Sequence, residues 1–361
     1  MMHRLALDRF SALYLWAAFM IFFGITQPDT FLTWTTFKLV FVENVIVAVL
    51  ALAFLVPLAT GTYDLSIGAM MSMSLVITAY LGKEGTVPVV LAMFIALGAC
   101  AVAGFLSGFF VVKLGVNSFI ATLGMSEVIT AFILHTSSQS ITSPFKQSFM
   151  DIGSKEFLGL PRYFFYMLIL ALIIWFVFEH TPVGRFMFAT GGNPEASRLA
   201  GLRTNWLVWG SLVASGLIAG FAGTIYAWKV GNYAQSVGPG YLFPAVAAVF
   251  FGASQLKGRP NVWGTLIALY ALAFGIKGLQ LTFTSNTIWI EPLFQGVSLL
   301  AAVSLASYRG VVRVPRRKGK PVPPPSAGLT ETAGDLPSTQ PTPAAADTPA
   351  LATERIAPET A

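Results

Sequence analysis

The chain has 361 residues, of which 55% are hydrophobic and only 11% charged, and its mean hydropathy is +0.71. An ordinary soluble domain carries roughly 25% charged residues, so this composition excludes a soluble globule and indicates a polytopic membrane protein. The net charge of +6 then reads as loop asymmetry across a bilayer and not as a nucleic-acid footprint.

Ten apolar stretches follow one another, at approximately 10–26, 38–60, 65–81, 87–112, 119–135, 163–179, 206–228, 241–256, 262–281 and 288–307. A spanning helix needs about 20 residues. Most of these fit; 241–256 is short, and 87–112 is long enough to tilt. The first run lacks a small-x-small cleavage site and reads as a retained helix. With the N-terminus inside, 14 lysines and arginines fall on the cytoplasmic side, among them Arg185, Arg198 and Arg203. Six (Lys38, Lys83, Lys146, Lys155, Arg162 and Lys229) fall outside. That bias predicts an all-α protein of about ten transmembrane helices with both termini cytoplasmic. The transmembrane region is 1–308. Residues 309–361 form a basic run, suited to anionic lipid headgroups, and then a tail rich in Pro, Ala and Thr that is expected to be disordered.

Several features interrupt the apolar pattern. Between the second and third stretches lies Gly61-Thr62-Tyr63-Asp64-Leu65-Ser66-Ile67-Gly68. Gly61 suits a turn, and Asp64 suits the cap of a helix starting at Leu65. The segment reads either as a capped tight turn or as part of a pathway, and a backbone break at that depth has to face protein or a water-filled cavity. Glu43, Glu127, Lys277 and Glu291 lie inside predicted spans, where a charge near the bilayer centre costs at least roughly 2.5–3.5 kcal/mol. Glu127 is the closest of them to a span centre. The pairs Gly104/Gly108 and Gly216/Gly220 have the spacing of close helix contacts. The outer segment Thr136–Arg162 is long for a connector and reads as a lid, a spacer or a surface for an external partner.

The stretch Thr181–Leu202 is polar, basic and cytoplasmic by the charge count. It contains Gly191-Gly192-Asn193-Pro194 followed by Glu195-Ala196-Ser197, with Gly201 four residues later. Asn193 can cap a helix and Pro194 fits its first position, which predicts a short helix in the loop. Such a helix is either a handle for a soluble partner or an ordinary loop with a turn of helix. The sequence carries no G-x-x-x-x-G-K-[ST] phosphate loop and no nucleophile–base set. Its one cysteine, Cys100, sits in an apolar run, and His3, His135 and His180 are far apart, so neither a disulfide nor a zinc site is indicated. No enzyme activity and no cofactor are expected in this chain.

Four blocks in order resemble the membrane permease subunits of bacterial ATP-binding-cassette importers for monosaccharides, the ribose and xylose type. They are GTYDLSIGAMMSM (61–73), NSFIATLGM (117–125), GRFMFATGGNPEASRLAGL (184–202) and SGLIAGFAGTIYAW (215–228). The resemblance implies an all-helical permease that dimerises with a second copy or a paralogue in the bacterial cytoplasmic (inner) membrane. It also implies a separate cytoplasmic ATPase that holds ATP and magnesium, and a periplasmic or lipid-anchored binding protein that delivers the sugar. The loop is then similar to the family's coupling helix, with Gly191, Gly192, Asn193, Glu195, Ala196, Ser197 and Gly201 as the ATPase-coupling residues. Sugar pockets need polar and aromatic side chains, and Tyr63, Asp64, Asn117, Thr122 and Glu127 are the candidates for the substrate pathway. At Gly240-Tyr241-Leu242-Phe243-Pro244-Ala245 the chain departs from the family by lacking two acids. Two other readings stand beside this one. One is a branched-chain amino-acid permease, which shares parts of the loop pattern. The other is an ion-coupled carrier using Glu127, Lys277 and Glu291.

Overall fold

A computed structural model of the protein describes residues 11–83, 87–137, 145–233, 237–253, 259–283 and 287–308. The basic run and tail expected over 309–361, and Lys257 with its neighbours, lie outside the described residues. The element order is α1 (Ser11–Thr26), α2 (Pro28–Phe31), α3 (Trp34–Glu43), α4 (Val45–Ala59), α5 (Ile67–Lys83), α6 (Val89–Val112), α7 (Ser118–Thr136), α8 (Gln147–Ser154), β1 (Glu156–Phe157), β2 (Leu160–Pro161), α9 (Arg162–His180), α10 (Pro182–Gly192), α11 (Pro194–Leu199), α12 (Thr204–Val230), α13 (Pro239–Ala253), α14 (Val262–Thr282) and α15 (Ile290–Tyr308).

Each of the ten apolar stretches holds a helix. Among the described residues, five of these helices are long and apolar enough to cross a membrane: α6, α7, α9, α12 and α14. The pair α3 and α4, bent by 41° at Asn44, makes a sixth if taken as one span. Three more, α1, α5 and α13, are apolar but shorter. Nearly every side chain of α4 is buried, whereas α6 and α9 leave broad apolar faces exposed, among them Phe94, Phe105 and Ile173. The outward faces suit lipid, and the centre of the bundle is α4, α5 and α12.

Small residues fix the closest helix contacts. A methyl added at Gly104 of α6 would run into the carbonyl oxygen of Leu212 in α12, and one at Gly108 into the Trp209 ring. Gly216 and Gly220 face Cys100 from the other side. Trp209 Nε1 then donates to the Phe105 carbonyl at 2.9 Å. The glycine spacing read from the sequence is therefore the α6–α12 seam. We expect Gly104→Val to force the helices apart and to destabilise the bundle by about 1–3 kcal/mol. A lowered thermal midpoint in detergent, by fluorescence-detected size exclusion, would show it.

The start of α13 is packed closely against α5. A methyl at Gly223 would lie 2.9 Å from Ser74 Cβ, and one at Gly216 would lie 3.3 Å from Met70 Sδ. The start of α5 therefore stands beside the middle of α12. Gly238 donates its N–H to Ser72 Oγ at 2.8 Å, and its backbone meets Gly68 so closely that neither position has room for a side chain. The first residues of α13 therefore lie against α5, and the Tyr241 ring in its first turn stands 6.4 Å from that of Tyr226 in α12.

The segment ahead of α9 departs from an all-helical description. β1 and β2 form a two-stranded antiparallel hairpin pairing Glu156 with Pro161 and Phe157 with Leu160. Leu158 (φ 51°) and Gly159 (φ 79°) turn it. Glu156 pairs with Lys38 at 2.7 Å. The helix α8 lies on the last turns of α12, with Gly153 against the Trp228 ring and the Phe149 ring centred 6.0 Å from it at a tilt of 50°.

Candidate functional site

The loop 181–202 folds as two capped helices. Thr181 caps α10, its Oγ1 accepting from Gly184 N at 3.3 Å, with Pro182 in the first turn. Asn193 caps α11, its Oδ1 accepting from Ala196 N at 3.1 Å, with Pro194 at the first position. Leu202 N donates to the Ser197 carbonyl and Gly201 N to the Arg198 carbonyl, both at 3.0 Å. Gly201 has φ +85°, a left-handed end that glycine adopts without strain. Both ends of a six-residue helix are thereby fixed. Ser197 is buried and anchors it, while Glu195, Ala196 and Arg198 are exposed and Leu199 is 87% exposed. The short helix expected after Asn193 is present. Sequence reading missed α10 before it; the signal was Thr181-Pro182, a cap followed by proline.

The step between the two helices bears on the bundle at one point. A Cβ at Gly191 would lie 2.5 Å from the Ala59 carbonyl oxygen and 3.0 Å from Gly61 N. The last turn of α10 therefore rests directly on the end of α4. That end is tied down by Pro57, whose carbonyl accepts from Thr60 N at 2.9 Å and Thr62 N at 3.1 Å. Thr60 Oγ1 also lies 3.3 Å from Ser211 Oγ of α12.

Past Gly61 the connector meets α7. Tyr63 N donates to Ser118 Oγ at 3.1 Å, and Leu65 N donates to Thr122 Oγ1 at 3.1 Å. Thr122 Oγ1 in turn donates to the Ser118 carbonyl at 2.8 Å. Asp64 and Ser66 are fully buried, and Asp64 Oδ1 accepts from Ser66 N at 3.0 Å and from Ser66 Oγ at 2.5 Å. Asp64 thus closes a turn ahead of α5, which starts at Ile67, two residues later than the sequence suggested. Asn117 caps α7, its Oδ1 accepting from Phe119 N at 2.9 Å. So Tyr63, Asp64, Asn117 and Thr122 converge on one joint between the α4–α5 connector and the start of α7. Glu127 does not join them: it is exposed on α7, beside Val128.

A polar cavity of about 560 Å³ lies at the other end of α4. Its walls include Glu43, Asn44 and Val47 at the α3–α4 bend, Lys229 of α12, and Gly240 and Tyr241 of α13. Lys277 and Gln280 of α14 and Glu291 and Gln295 of α15 complete them. Three of the four charges singled out within spans therefore meet in one place. Lys229, read from the sequence as an outer-loop residue, joins them from the last turn of α12. Lys229 Nζ donates to the Glu43 carbonyl at 3.2 Å, and Gln295 Nε2 donates to Glu291 Oε1 at 2.9 Å. None of the five side chains expected on the substrate pathway lines this cavity. Among the described residues, no three His, Cys, Asp or Glu side chains form a group that could hold a metal ion.

Comparison with known proteins agrees with this architecture. Residues 37–303 match the family described as branched-chain amino acid transport system / permease component. The D-allose transport system permease protein of Escherichia coli is 25% identical over 299 residues, covering 82% of this chain and 91% of that protein. The ribose import permease protein of Escherichia coli is 31% identical over 262 residues, covering 71% and 80%. The fructose import permease protein of Rhizobium meliloti is 27% identical over 298 residues, covering 80% and 82%. The chain therefore belongs to this family of membrane permease components of ATP-binding-cassette importers.

Proposed function

We propose that this permease subunit carries a monosaccharide or related polyol across the bacterial cytoplasmic (inner) membrane, driven by a separate ATPase that docks on α11. The contact of Gly191 with Ala59 and Gly61 carries the reading. It joins an exposed, doubly capped helix to the joint that connects α4, α5 and α7. Movement of α11 is passed through α10 to that joint, where Tyr63, Asp64, Asn117 and Thr122 form the inner end of the pathway. Gly191 and Gly192 end α10, and Asn193, Ala196 and Gly201 set the ends of α11. Ser197 seats the helix, and Glu195 faces the partner. Coupling of this kind requires an element that both sites bias.

In the same reading the chain crosses the membrane ten times with both termini cytoplasmic, 1–308 forming the transmembrane domain and 309–361 a cytoplasmic tail. It pairs with a second permease copy or paralogue and receives sugar from a periplasmic or lipid-anchored binding protein. ATP and magnesium are held by the ATPase. The sugar class is supported by the ribose, allose and fructose permeases to which the chain is similar.

Reconstituted vesicles test this reading. With the ATPase, the binding protein and internal ATP, uptake of labelled sugar is expected to require hydrolysis. Vesicles holding this chain alone under a proton or sodium gradient are expected to take up none. Gradient-driven uptake by the chain alone would make it a secondary carrier.

A further inference from the structure

The helices α9 and α12 are each long enough to cross a membrane and both lie on α4, yet they hardly touch one another. The gap between them holds two apolar hollows. One, of about 480 Å³, is bounded by Val56 of α4 and by Val183 and Met187 of α10. The other, of about 440 Å³, is bounded by Phe149 and Ile152 of α8. Leu170 and Ile173 of α9 line both, so the hollows meet end to end in one crevice.

The crevice has the length of a bilayer's interior. Trp206 and Trp228 of α12 stand on its walls, one in each hollow. At about 1.5 Å per residue the helix between them spans about 33 Å, close to the roughly 30 Å of a hydrocarbon core. Tryptophan is favoured at both boundaries of that core. Arg203, exposed at the start of α12, brings a positive charge beside Trp206.

The walls are apolar by construction. The hydroxyls of Ser211 and Tyr166 are spent on carbonyls of the chain itself, Val208 at 2.7 Å and Ile152 at 3.0 Å. Gly210 and Ala214 keep the α12 wall low, and a methyl at Gly210 would meet nothing within 4 Å. The Trp228 indole N–H is different. It is buried and has no hydrogen-bond partner, although a buried tryptophan usually finds an acceptor.

We infer that the crevice between α9 and α12 is a binding site for phospholipid acyl chains. Water gains nothing from such walls, and an unfilled gap forfeits their dispersion contacts. A helix of a second copy is too thick. Over half of that length each hollow averages roughly 30 Å² in cross-section, whereas a helix about 10–12 Å across covers about 80 Å² or more. A hydrocarbon chain is thin and flexible enough to fill both. The ester carbonyl of its lipid is an acceptor for Trp228 Nε1, and a lipid phosphate at the other end is a partner for Arg203. A chain in the hollow next to α10 lies on Met187, one turn before Gly191, and so braces the helix that bears on α4. The site goes beyond the importer reading and does not depend on it; it requires only that the chain spans a membrane.

Photo-labelling of the full-length permease in detergent micelles tests it. The probe is phosphatidylglycerol with a diazirine midway along one acyl chain, and adducts are mapped by mass spectrometry. They are expected to concentrate on the crevice, at Leu170, Ile173 and Leu217, and to be several-fold fewer at Val102, which is 58% exposed on α6. Gly210→Leu, which fills the hollow next to α10, is expected to lower the yield at Leu217 several-fold with the size-exclusion profile unchanged. Ala214→Phe repeats the measurement if that variant does not assemble, and the wild-type map decides alone if neither does. Adducts spread evenly over Val102 and the crevice overturn the proposal, as does a yield at Leu217 that neither variant lowers. A variant that splits a dimer into single copies without losing lipid also overturns it, and gives the face to the second copy.

Discussion

Replacing Glu195 with arginine is expected to leave a permease that inserts and folds but neither transports nor retains its ATPase. Glu195 is exposed in the first turn of α11, and among the described residues its side chain makes no hydrogen bond or ion pair. Reversing its charge there loses a favourable interaction with the helix dipole of about 0.3–1 kcal/mol, too little to unfold the protein. A charge buried against a partner is different: disrupting it costs about 2–5 kcal/mol, or roughly 30-fold and more in affinity. Uptake and co-purification of the ATPase should therefore fall together, with the size-exclusion profile unchanged. Wild-type values for both would remove Glu195 from the contact.

Gly191→Ala is expected to separate docking from transmission. The added methyl would meet the Ala59 carbonyl at 2.5 Å and Gly61 N at 3.0 Å. Both are backbone atoms and cannot swing aside, so α10 has to lift off α4. We expect uptake to fall by about tenfold or more, matching the roughly 1–3 kcal/mol of an overpacked contact, while the ATPase still binds α11. Gly192→Ala is the control. Nothing lies within 4 Å of a methyl at that neighbouring position, and alanine favours the helix. Equal uptake by the two variants, both at the wild-type rate, would show that the Gly191 contact transmits nothing.

Much of this architecture was legible because local chemistry fixes it. Asn193-Pro194 announced α11, since a capping amide and a proline suit the same helix start. The glycine pairs at 104/108 and 216/220 announced close helix contacts, and the structure joins them in the α6–α12 seam. The cavity was not legible in the same way. Glu43, Lys229, Lys277 and Glu291 come from four helices, and only their packing brings them together. Lys229 looked like a loop residue because α12 runs on past the predicted end at 228, to Val230. Glu127 drew attention for its central position in a span, but position along a helix does not reveal the face. On α7, apolar nearly all round, no hydrophobic stripe marks one. The short stretch 241–256 was visible as an anomaly. The packing at the start of that helix was not, because Gly238 meets Gly68 across 170 residues of chain. The block 240–245, where the chain departs from the family pattern, contributes Gly240, Tyr241 and Pro244 to the cavity wall.

The central claim is that α11 is the surface on which the ATPase pushes. Leu199 tests it most directly, because it is apolar, 87% exposed and at the end of that helix. A photo-reactive amino acid placed at 199 in transporting vesicles is predicted to cross-link the ATPase subunit, with a yield that changes between the nucleotide-free and ATP-bound complexes. Vesicles that transport normally but give no ATPase adduct from position 199 in either state would contradict it.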